Sequence, residues 1–589
     1  MQITLTKINN TVTIQPTLTT LQRFFRILHT DRKEIGYIYV YAIFAGLINL
    51  TLPLGIQAIL NIIQGGAVSS SWWLLIVGVT LGTFFAGLLV VMQMTVSETL
   101  QRRLFTRVSF DFAKRLPNLH TEAVRNEHLP EVANRFFDTL TLQKGLPKLL
   151  IDLSTALMQI VFGLLLLSFY HPLFIFFGFL LLILLILIFR FTGPTGLDTS
   201  LKESKYKYKV AYWLEEIART LQTFKLAGTS DLPLSKTDEY VSNYLDAKRK
   251  HFRILLIQYG SIVGFKTLIT FALLSLGGWL VINNQINVGQ FVAAEIIIIM
   301  ILGSSEKMIV TMDTVYDVLT AIEKIGAVTD LPLENEDGVN FSEMNNGQGI
   351  KLDIKDLSYH FGDSSKPVLR GINLSIASGE RLCIAGYNAS GKTTLIQIIS
   401  CFLSDFKGAV LYNGVPRNNF NQTSLRSAIG DYSVEEDIFK GTIHDNIALG
   451  YTHIRFEDIV KTCEAVGLMG FIRSLPQGFD TFLLPAGKTL PRSIISKIIL
   501  ARGILNNPQL LAIEELMANL EYADRIRISD LLTDKSQKWT LIAVTDDPVL
   551  ASRCDRIVLM KEGQIIEEGT FEQIQKSIHF NKIFKTFKE

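Results

Sequence analysis

A short glycine-rich stretch of this 589-residue chain has the residue types and the spacing that bind phosphate groups. It fits the pattern G-x-x-x-x-G-K-[ST] at every fixed position and reads Gly386-Tyr387-Asn388-Ala389-Ser390-Gly391-Lys392-Thr393-Thr394. In such a loop, backbone N–H groups surround the phosphates at a helix N-terminus, Lys392 reaches the terminal phosphates and the Thr393 hydroxyl can ligate Mg²⁺. We therefore predict a nucleotide site formed by Gly386 and residues 388–394.

The sequence on either side of the loop predicts the elements that hold it. The apolar run before the loop, Arg381-Leu382-Cys383-Ile384-Ala385, is typical of a buried strand. Residues 394–399 after the loop have the pattern of the first turns of a helix. A strand, the loop and a helix in this order are the context in which the motif binds phosphates, whereas a glycine-rich turn that matched by chance would lack both neighbours.

The composition as a whole indicates a membrane protein. Hydrophobic residues make up 48% of the chain and the mean hydropathy is +0.29, which together are too apolar for one soluble domain. The formal net charge of +2 gives no indication of a nucleic-acid partner, and we expect none. The four cysteines lie in the C-terminal third without the spacing of metal ligands, so they are expected to be reduced structural thiols in a cytosolic domain.

Six apolar segments are long enough to cross a bilayer, which takes about 20 residues in a helix. They lie at residues 35–63, 72–96, 148–170, 172–192, 252–281 and 288–310. The residues before 35 lack the features of a cleaved signal peptide, so we expect membrane insertion to start from the first of these segments. The chain is therefore predicted to contain six transmembrane helices embedded in a lipid bilayer.

The distribution of Lys and Arg predicts how these helices are oriented. Both residue types are absent from the short connections, at 64–71, 171–172 and 283–287, and frequent in the N-terminal arm and the long connections, at 97–147 and 193–251. By the positive-inside rule, the short connections face outwards and both termini face the cytosol. Parts of the long connections, such as 100–116 and 206–225, are compatible with helix, so the membrane helices are expected to extend into the cytosol.

Charged residues within the predicted spans are costly and so suggest a role. Folding the last two spans about a turn near Gln285 places Lys266 and Glu306 at a similar depth, near the cytosolic end, and leaves Glu295 near the middle of the membrane. Two interpretations follow. The three side chains line a polar cavity, or Lys266 and Glu306 pair with each other or extend to the membrane boundary.

A change of composition separates the membrane region from a soluble domain. Residues 329–349 are acidic and rich in Gly and Asn, which is typical of a linker. We therefore divide the chain into an N-terminal arm (1–34), a transmembrane domain (35–328), the linker (329–349) and an α/β nucleotide-binding domain (350–589).

This organisation resembles a half-transporter of the ABC exporter family. Further marks of the family are residues 438–447, which are similar to its L-F-x-G-T-I-x-x-N-I segment, and residues 475–481, which are similar to its L-P-x-G-x-D-T segment. The resemblance implies a membrane domain of six α-helices joined to an α/β phosphate-loop domain, with ATP and Mg²⁺ as ligands, in the bacterial inner membrane. Residues 52–58 resemble most the exporters that secrete proteins or peptides, which favours such a substrate.

The resemblance also assigns an aromatic residue to the adenine base. Phe361 precedes Pro367-Val368-Leu369-Arg370-Gly371 at the position where the family has the aromatic that stacks on adenine, and Tyr359 is a second candidate. Either ring could instead belong to the core beside a strand.

One position and one segment depart from the family pattern around the γ-phosphate. Val434 stands where the family has the Gln that helps to hold Mg²⁺, and residues 491–495 stand where it has the S-G-G-Q signature and its next residue. The signature presents a Ser hydroxyl and Gly backbone amides to the γ-phosphate across a dimer interface. Pro491 has neither a hydroxyl nor an N–H, and the side chains of Arg492 and Ser493 obstruct a close backbone approach.

The carboxylates at the end of the predicted Walker B strand are partly retained. Glu514 stands for the usual Asp, so the resemblance makes it the second Mg²⁺ ligand, and Glu515 matches the general base that orients the attacking water. Glu515 could instead cap a helix or pair with a basic residue. Asp546 occupies the position of the switch His, where a carboxylate repels phosphate and donates no hydrogen bond.

These features predict an exporter half-transporter that binds ATP and hydrolyses it poorly by itself. Because the family forms dimers in which each ATP lies between one chain's loop and the other's signature, we expect a second ABC half-transporter as partner, and a heterodimer rather than a homodimer. Two alternatives stay open: a non-transporting, nucleotide-gated regulatory or assembly subunit, and a fully active homodimer in which other side chains replace the missing groups.

Overall fold

The computed structural model describes residues 19–65, 70–125, 127–334, 336–344, 347–362, 366–432 and 438–584. These residues form two compact units, each with its own core. The first unit contains residues 19–119 and 127–332, and the second contains residues 120–125 and 333–584.

The first unit is helical. Its helices are α1 (Thr20–Thr30), α2 (Arg32–Asn49), α3 (Thr51–Gln64), α4 (Ser70–Arg115), α6 (Leu129–Asn134), α7 (Asp138–Ser168), α8 (Pro172–Arg219), α9 (Leu221–Leu226), α10 (Leu232–Ile282) and α11 (Val288–Thr329), while α5 (Thr121–Val124) belongs to the second unit. Among the described residues, six stretches are long and apolar enough to cross a membrane: α2 with α3, α4, α6 with α7, α8, α10 and α11. The predicted six spans are confirmed.

The membrane helices extend beyond the apolar segments, as the sequence predicted. Helices α4, α8 and α10 continue without a break through most of the basic connections. The first span differs from the prediction because it is interrupted at Leu50, between α2 and α3. Pro53 explains the break, since it has no N–H to donate to the carbonyl of Asn49 and so cannot continue α2.

The core of the first unit lies between α7 and α11, with α10 packed along α8. Hydrogen bonds between polar side chains join these helices inside the apolar surroundings. Gln258 Nε2 donates to Tyr316 Oη at 2.8 Å, and Ser304 Oγ donates to Gln159 Oε1 at 2.6 Å. Such bonds between membrane helices hold them in register because an unpaired polar group would be costly in lipid.

Two of the charged residues in the last two spans lie next to each other. Lys266 Nζ is 3.0 Å from Glu306 Oε2, and the hydroxyl of Tyr259 donates to Glu306 Oε1 at 2.8 Å. The predicted pairing of Lys266 with Glu306 is therefore confirmed. Glu295 lies on the same helix as Glu306, about three turns away.

The second unit is an α/β domain. Its strands are β1 (Leu352–Tyr359), β2 (Leu369–Ile376), β3 (Arg381–Gly386), β4 (Lys407–Tyr412), β5 (Val415–Pro416), β6 (Ile429–Tyr432), β7 (Gly441–Thr442), β8 (Phe482–Leu483), β9 (Leu510–Glu514), β10 (Thr540–Val544), β11 (Arg556–Lys561) and β12 (Gln564–Gly569). Besides α5, its helices are α12 (Lys392–Ile399), α13 (Gln422–Ser427), α14 (Ile443–Ala448), α15 (Phe456–Ala465), α16 (Met469–Ser474), α17 (Arg492–Leu505), α18 (Tyr522–Thr533), α19 (Pro548–Ala551), α20 (Phe571–Ile574) and α21 (Phe580–Ile583).

The strands of this unit form three sheets. The largest has the order β12-β11-β3-β10-β9-β6, in which β12 pairs antiparallel at one edge and the other strands run parallel. A four-stranded antiparallel sheet has the order β2-β1-β4-β5, and β7 pairs with β8. Strands β9 and β10 are buried along their whole length, which is typical of central strands in a parallel sheet covered on both faces.

The residues after α11 pack onto the second unit. Phe341, which lies in the range 329–349 assigned to a linker, is 1% exposed, and its ring centroid is 5.4 Å from that of Phe420. The guanidinium of Arg426 also pairs with the carboxylate of Glu334. This part of the chain is therefore held by a buried aromatic contact and an ion pair.

Candidate nucleotide-binding site

The phosphate loop follows the strand that lies third in the large sheet. Strand β3 leads into Gly386, and α12 begins at Lys392, so the predicted strand, loop and helix are confirmed. Gly386 is required by space, because a Cβ there would lie 2.2 Å from the carbonyl oxygen of Met560. Gly391 precedes α12 with a φ of +94°, a conformation that favours glycine. The loop backbone therefore depends on both glycines of the motif.

The ammonium of Lys392 lies inside the loop. It donates to the carbonyl oxygens of Gly386 at 3.0 Å and Tyr387 at 2.9 Å, and Ser390 Oγ is 3.4 Å away. Burial lowers the pKa of Lys392, whereas nearby carboxylates act in the opposite direction. Phosphate oxygens are stronger acceptors for an ammonium than neutral carbonyls are, so the lysine is positioned to bind a polyphosphate.

The two predicted Mg²⁺ ligands lie next to each other. The hydroxyl of Thr393, in the first turn of α12, donates to Oε1 of Glu514 at the end of β9. Glu514 is 5% exposed, and its carboxylate is close enough to Lys392 to favour the charged form of that lysine. A hydroxyl and a carboxylate are the oxygen ligands that Mg²⁺ prefers, and these two residues therefore fit such an ion.

Two further carboxylates follow the neighbouring strands β9 and β10. Glu515 comes directly after β9 with a φ of +51°, and its backbone N–H donates to the carbonyl of Val544 at 2.9 Å. Asp546 follows β10, and both carboxylates favour the charged form of Lys392. The parallel pairing of β9 with β10 brings these positions to one edge of the sheet. The site therefore carries more negative charge than the binding of a γ-phosphate alone would favour.

The two aromatic candidates for the adenine site have different surroundings. Tyr359 is the last residue of β1 and is 3% exposed, in the core between the sheets. Phe361 lies just after β1 and is half-buried. The two ring centroids are 5.0 Å apart in an edge-to-face arrangement. Phe361 is thus the ring with an accessible surface, and Tyr359 supports it from the core.

The signature segment forms the N-terminus of α17. Pro491 is the N-cap residue, and its side chain makes no capping hydrogen bond. The backbone N–H groups of Ile494 and Ile495 donate to the Pro491 carbonyl at 3.0 and 3.1 Å. Pro491 and Arg492 are exposed, whereas the helix is buried from Ile494 onwards. The exposed start of this helix carries the residues that the sequence placed in the S-G-G-Q register.

Several contacts around α17 were not apparent from the sequence. The hydroxyl of Tyr432, at the end of β6, donates to Ser496 Oγ at 2.9 Å. Lys497 Nζ is 2.7 Å from Asp524 Oδ2 of α18, and both side chains are largely buried. These bonds attach the signature helix to the edge strand and to the helix that follows the Walker B strand. They join residues far apart in sequence, and none belongs to a recognisable motif.

A second ion pair lies behind the switch position. Arg525 Nη1 is 3.2 Å from Asp547 Oδ2, and Arg525 Nε donates to the carbonyl of Leu520 at 2.9 Å. Asp547 also caps α19, because its Oδ1 accepts the backbone N–H of Val549 at 2.8 Å. The residue after Asp546 is therefore held by both a cation and a helix N-terminus. This network fixes the backbone at Asp546.

Val434, predicted at the position of the missing Gln, lies outside the described residues, which resume at Ile438. Asp431, just before that gap, accepts a hydrogen bond from Ser400 Oγ at 3.0 Å. Burial and the charge of Glu514 raise the pKa of Asp431 to about 6, and the bond from Ser400 opposes this rise. Sequence reasoning gave no signal for this residue because a single Asp in a short strand fits no motif.

Comparison with known families matches both parts of the chain. Residues 35–305 match the family described as ABC transporter transmembrane region, and residues 369–518 match the family described as ABC transporter. The first match covers the membrane helices and the second covers the phosphate loop, the signature segment and β9.

Individual proteins and structures agree with these matches. Two proteins of Staphylococcus aureus, from strains NCTC 8325 and COL, have names that propose them as multidrug export ATP-binding/permease proteins. Each is 26% identical over 366 residues, a region that covers 62% of this chain and 63% of the relative. A solved structure described as a bacterial Atm1-family ABC exporter with ATP bound has 17% identity and a TM-score of 0.82, over 94% of this chain and 97% of that one.

The structural likeness establishes the exporter fold along almost the whole chain, and the family matches assign both domains. The membrane helices and the relatives show an integral membrane protein with a cytosolic nucleotide-binding domain. The two parts of the chain therefore match ABC transporter families, and the fold is that of an exporter-type half-transporter in which one transmembrane domain and one nucleotide-binding domain share a polypeptide.

Proposed function

We propose that this half-transporter binds ATP with Mg²⁺ at the phosphate loop, and that it hydrolyses ATP only together with a partner subunit that supplies an intact signature. ATP binding and partner-dependent hydrolysis then drive export of a substrate across the membrane. The observation that carries the proposal is the contrast between the assembled loop, with Lys392 inside it and Thr393 bonded to Glu514, and the start of α17 at Pro491.

The binding half of the proposal rests on the loop. Lys392 already contacts oxygen acceptors at hydrogen-bond distance, so a β- or γ-phosphate can replace them without a large movement. The first backbone N–H groups of α12 add the favourable field of a helix N-terminus. Mg²⁺ held by Thr393 and Glu514 would neutralise phosphate charge and so offset the carboxylates around it.

The hydrolysis half of the proposal rests on what the chain can do to the γ-phosphate. Glu515 is at the position of a general base, where it would accept a proton from the attacking water. A base acts only when the γ-phosphate is held in line and water is excluded from the site. Pro491 offers no hydroxyl and no N–H for that purpose, so two copies of this chain would lack the closing contacts at both sites.

In a heterodimer, one of the two ATP sites can still work. In a complex with an intact subunit, the partner's signature would close on the phosphate loop of this chain, which retains Lys392 and Glu515. The partner's own loop would face residues 491–495 of this chain and would form the degenerate site. We therefore propose a second ABC half-transporter with an intact signature as the partner. The similarity of residues 52–58 to exporters of proteins or peptides remains a prediction about the substrate.

Affinity purification from native membranes, followed by an ATPase assay, tests this proposal. We expect a second ABC subunit with an intact signature to co-purify, and the complex to hydrolyse ATP faster than the isolated chain. If the isolated chain turned over ATP as fast as the complex, the partner requirement would be wrong. If no substrate stimulated ATP turnover or crossed the membrane in reconstituted vesicles, the chain would be a regulatory subunit and not a transporter.

A further inference from the structure

The face of Phe361 is covered by an arginine. The guanidinium carbon of Arg125 lies 3.5 Å from the centroid of the Phe361 ring, which is the distance of direct stacking. Arg125 ends the segment 120–125, which belongs to the same compact unit as Phe361. Arg125 is exposed to solvent, whereas Phe361 is half-buried. The arginine therefore lies on the outer side of the ring that the sequence assigns to adenine.

The segment that carries Arg125 is anchored. The carboxylate of Glu122 accepts the backbone N–H groups of Ser404 at 2.7 Å and Asp405 at 2.9 Å. His120 Nε2 and Ser404 Oγ are 2.8 Å apart. Because helix α5 is held at these points, the backbone that carries Arg125 is fixed next to Phe361. The contact is therefore more than a random one between two surface side chains.

Stacking of this kind excludes a second planar group from the same face. Adenine stacks on an aromatic ring at a separation similar to the one that Arg125 occupies, so the base and the guanidinium cannot share that face. Tyr359 holds the ring from the core at 5.0 Å, which limits how far Phe361 can turn to offer another surface. A nucleotide base that uses the outer face of Phe361 must therefore displace Arg125.

We propose that Arg125 competes with the adenine base for Phe361 and is released when ATP binds. The inference rests on the proposed function, because it takes Phe361 as the adenine contact. It adds a residue that lowers affinity for the base and that senses whether the base is present.

Binding of two ligands to the full chain tests the competition. ATP has both base and phosphates, whereas inorganic tripolyphosphate has only the phosphates, and both are measured with Mg²⁺ by calorimetry. We expect Arg125→Gln to raise the ratio of ATP affinity to tripolyphosphate affinity about two- to fivefold, the strength of an exposed cation–π contact. The ratio removes the general effect of losing a positive charge. Arg473→Gln, at an exposed arginine of the same unit, is the matched control and should leave the ratio unchanged.

A second variant ties the effect to the ring. In a Phe361→Leu background, Arg125→Gln should no longer change the ratio, because the contested surface is gone. An unchanged ratio in the single variant, or a lower one, would overturn the inference, since the arginine would then be neutral or would hold the base. Failure of the proposed function looks different: the wild-type chain would then bind neither ligand, or would bind both without dependence on Lys392.

Discussion

The phosphate loop and the start of α17 differ in the polar groups that they present. In the loop, Lys392 donates a hydrogen bond to the backbone, and the hydroxyl of Thr393 donates one to the carboxylate of Glu514. At α17, the exposed first residues include a proline that donates nothing. On the proposed function, holding a nucleotide and closing on a second one are separate properties, and one subunit keeps the first without the second.

The structure explains why the fold tolerates this difference. Helix α17 is fixed by its residues from Ile494 onwards, including the buried Ile494 itself and the Ser496 hydroxyl bonded to Tyr432. The exposed residues before them contribute little to packing, so their replacement does not disturb the helix. The loop has no such freedom, because a side chain at Gly386 would collide with the backbone at Met560.

Lys392→Ala removes the main phosphate contact of the loop and should have the largest effect. It removes the only cation that the motif places against the phosphates, with a loss of about 3 kcal/mol, or about 100-fold in ATP affinity. Direct binding of labelled ATP to the purified chain measures this loss. Lys461→Ala, at an exposed lysine of α15, is the control and should bind ATP like the wild type. Equal affinity of the Lys392→Ala variant would remove the basis for the loop assignment.

Asp431→Asn should have an intermediate effect, on stability. A rise in the pKa from its ordinary 3.8 to about 6 means that the folded domain holds a proton that the unfolded chain has released. Stability therefore falls as the pH rises from about 4 to about 6, and at about pH 7 the ionised carboxylate costs about 1–2 kcal/mol once its partial exposure is considered. Asn can still accept the bond from Ser400.

Thermal unfolding as a function of pH tests this expectation. The Asn variant should melt at a higher temperature than the wild type at neutral pH, and the difference should shrink towards about pH 4, where the carboxyl is protonated. A difference that did not vary with pH would mean that packing and not ionisation separates the two proteins.

Features within local motifs could be predicted from the sequence, whereas contacts between distant segments could not. The strand, loop and helix around Lys392 followed from local patterns, and the pairing of Lys266 with Glu306 followed from the folding of two adjacent spans. The contact of Arg125 with Phe361 and the buried carboxylate of Asp431 could not be predicted in this way. Both depend on which distant segments meet in the folded domain, and periodicity carries no information about that.

Asp546→His should have the smallest effect. It restores one hydrogen-bond donor beside the γ-phosphate, but the groups of such a site act as a unit and their effects are not additive. The ATPase rate of the isolated variant should therefore stay within about twofold of the wild-type rate. Robust turnover from this one change would show that the switch position, and not the signature, limits the chain.

Whether hydrolysis requires a partner subunit can be tested at Glu515, with and without that partner. ATP hydrolysis is measured for the wild type and Glu515→Gln, each as the isolated chain and in complex with an ABC subunit that has an intact signature. We predict equally low rates for both isolated chains, and a loss of about 100-fold or more for the variant in the complex, the usual contribution of a general base. Rapid hydrolysis by the isolated wild type that disappeared in Glu515→Gln would contradict the partner requirement, because two copies of this chain would then form a catalytic site.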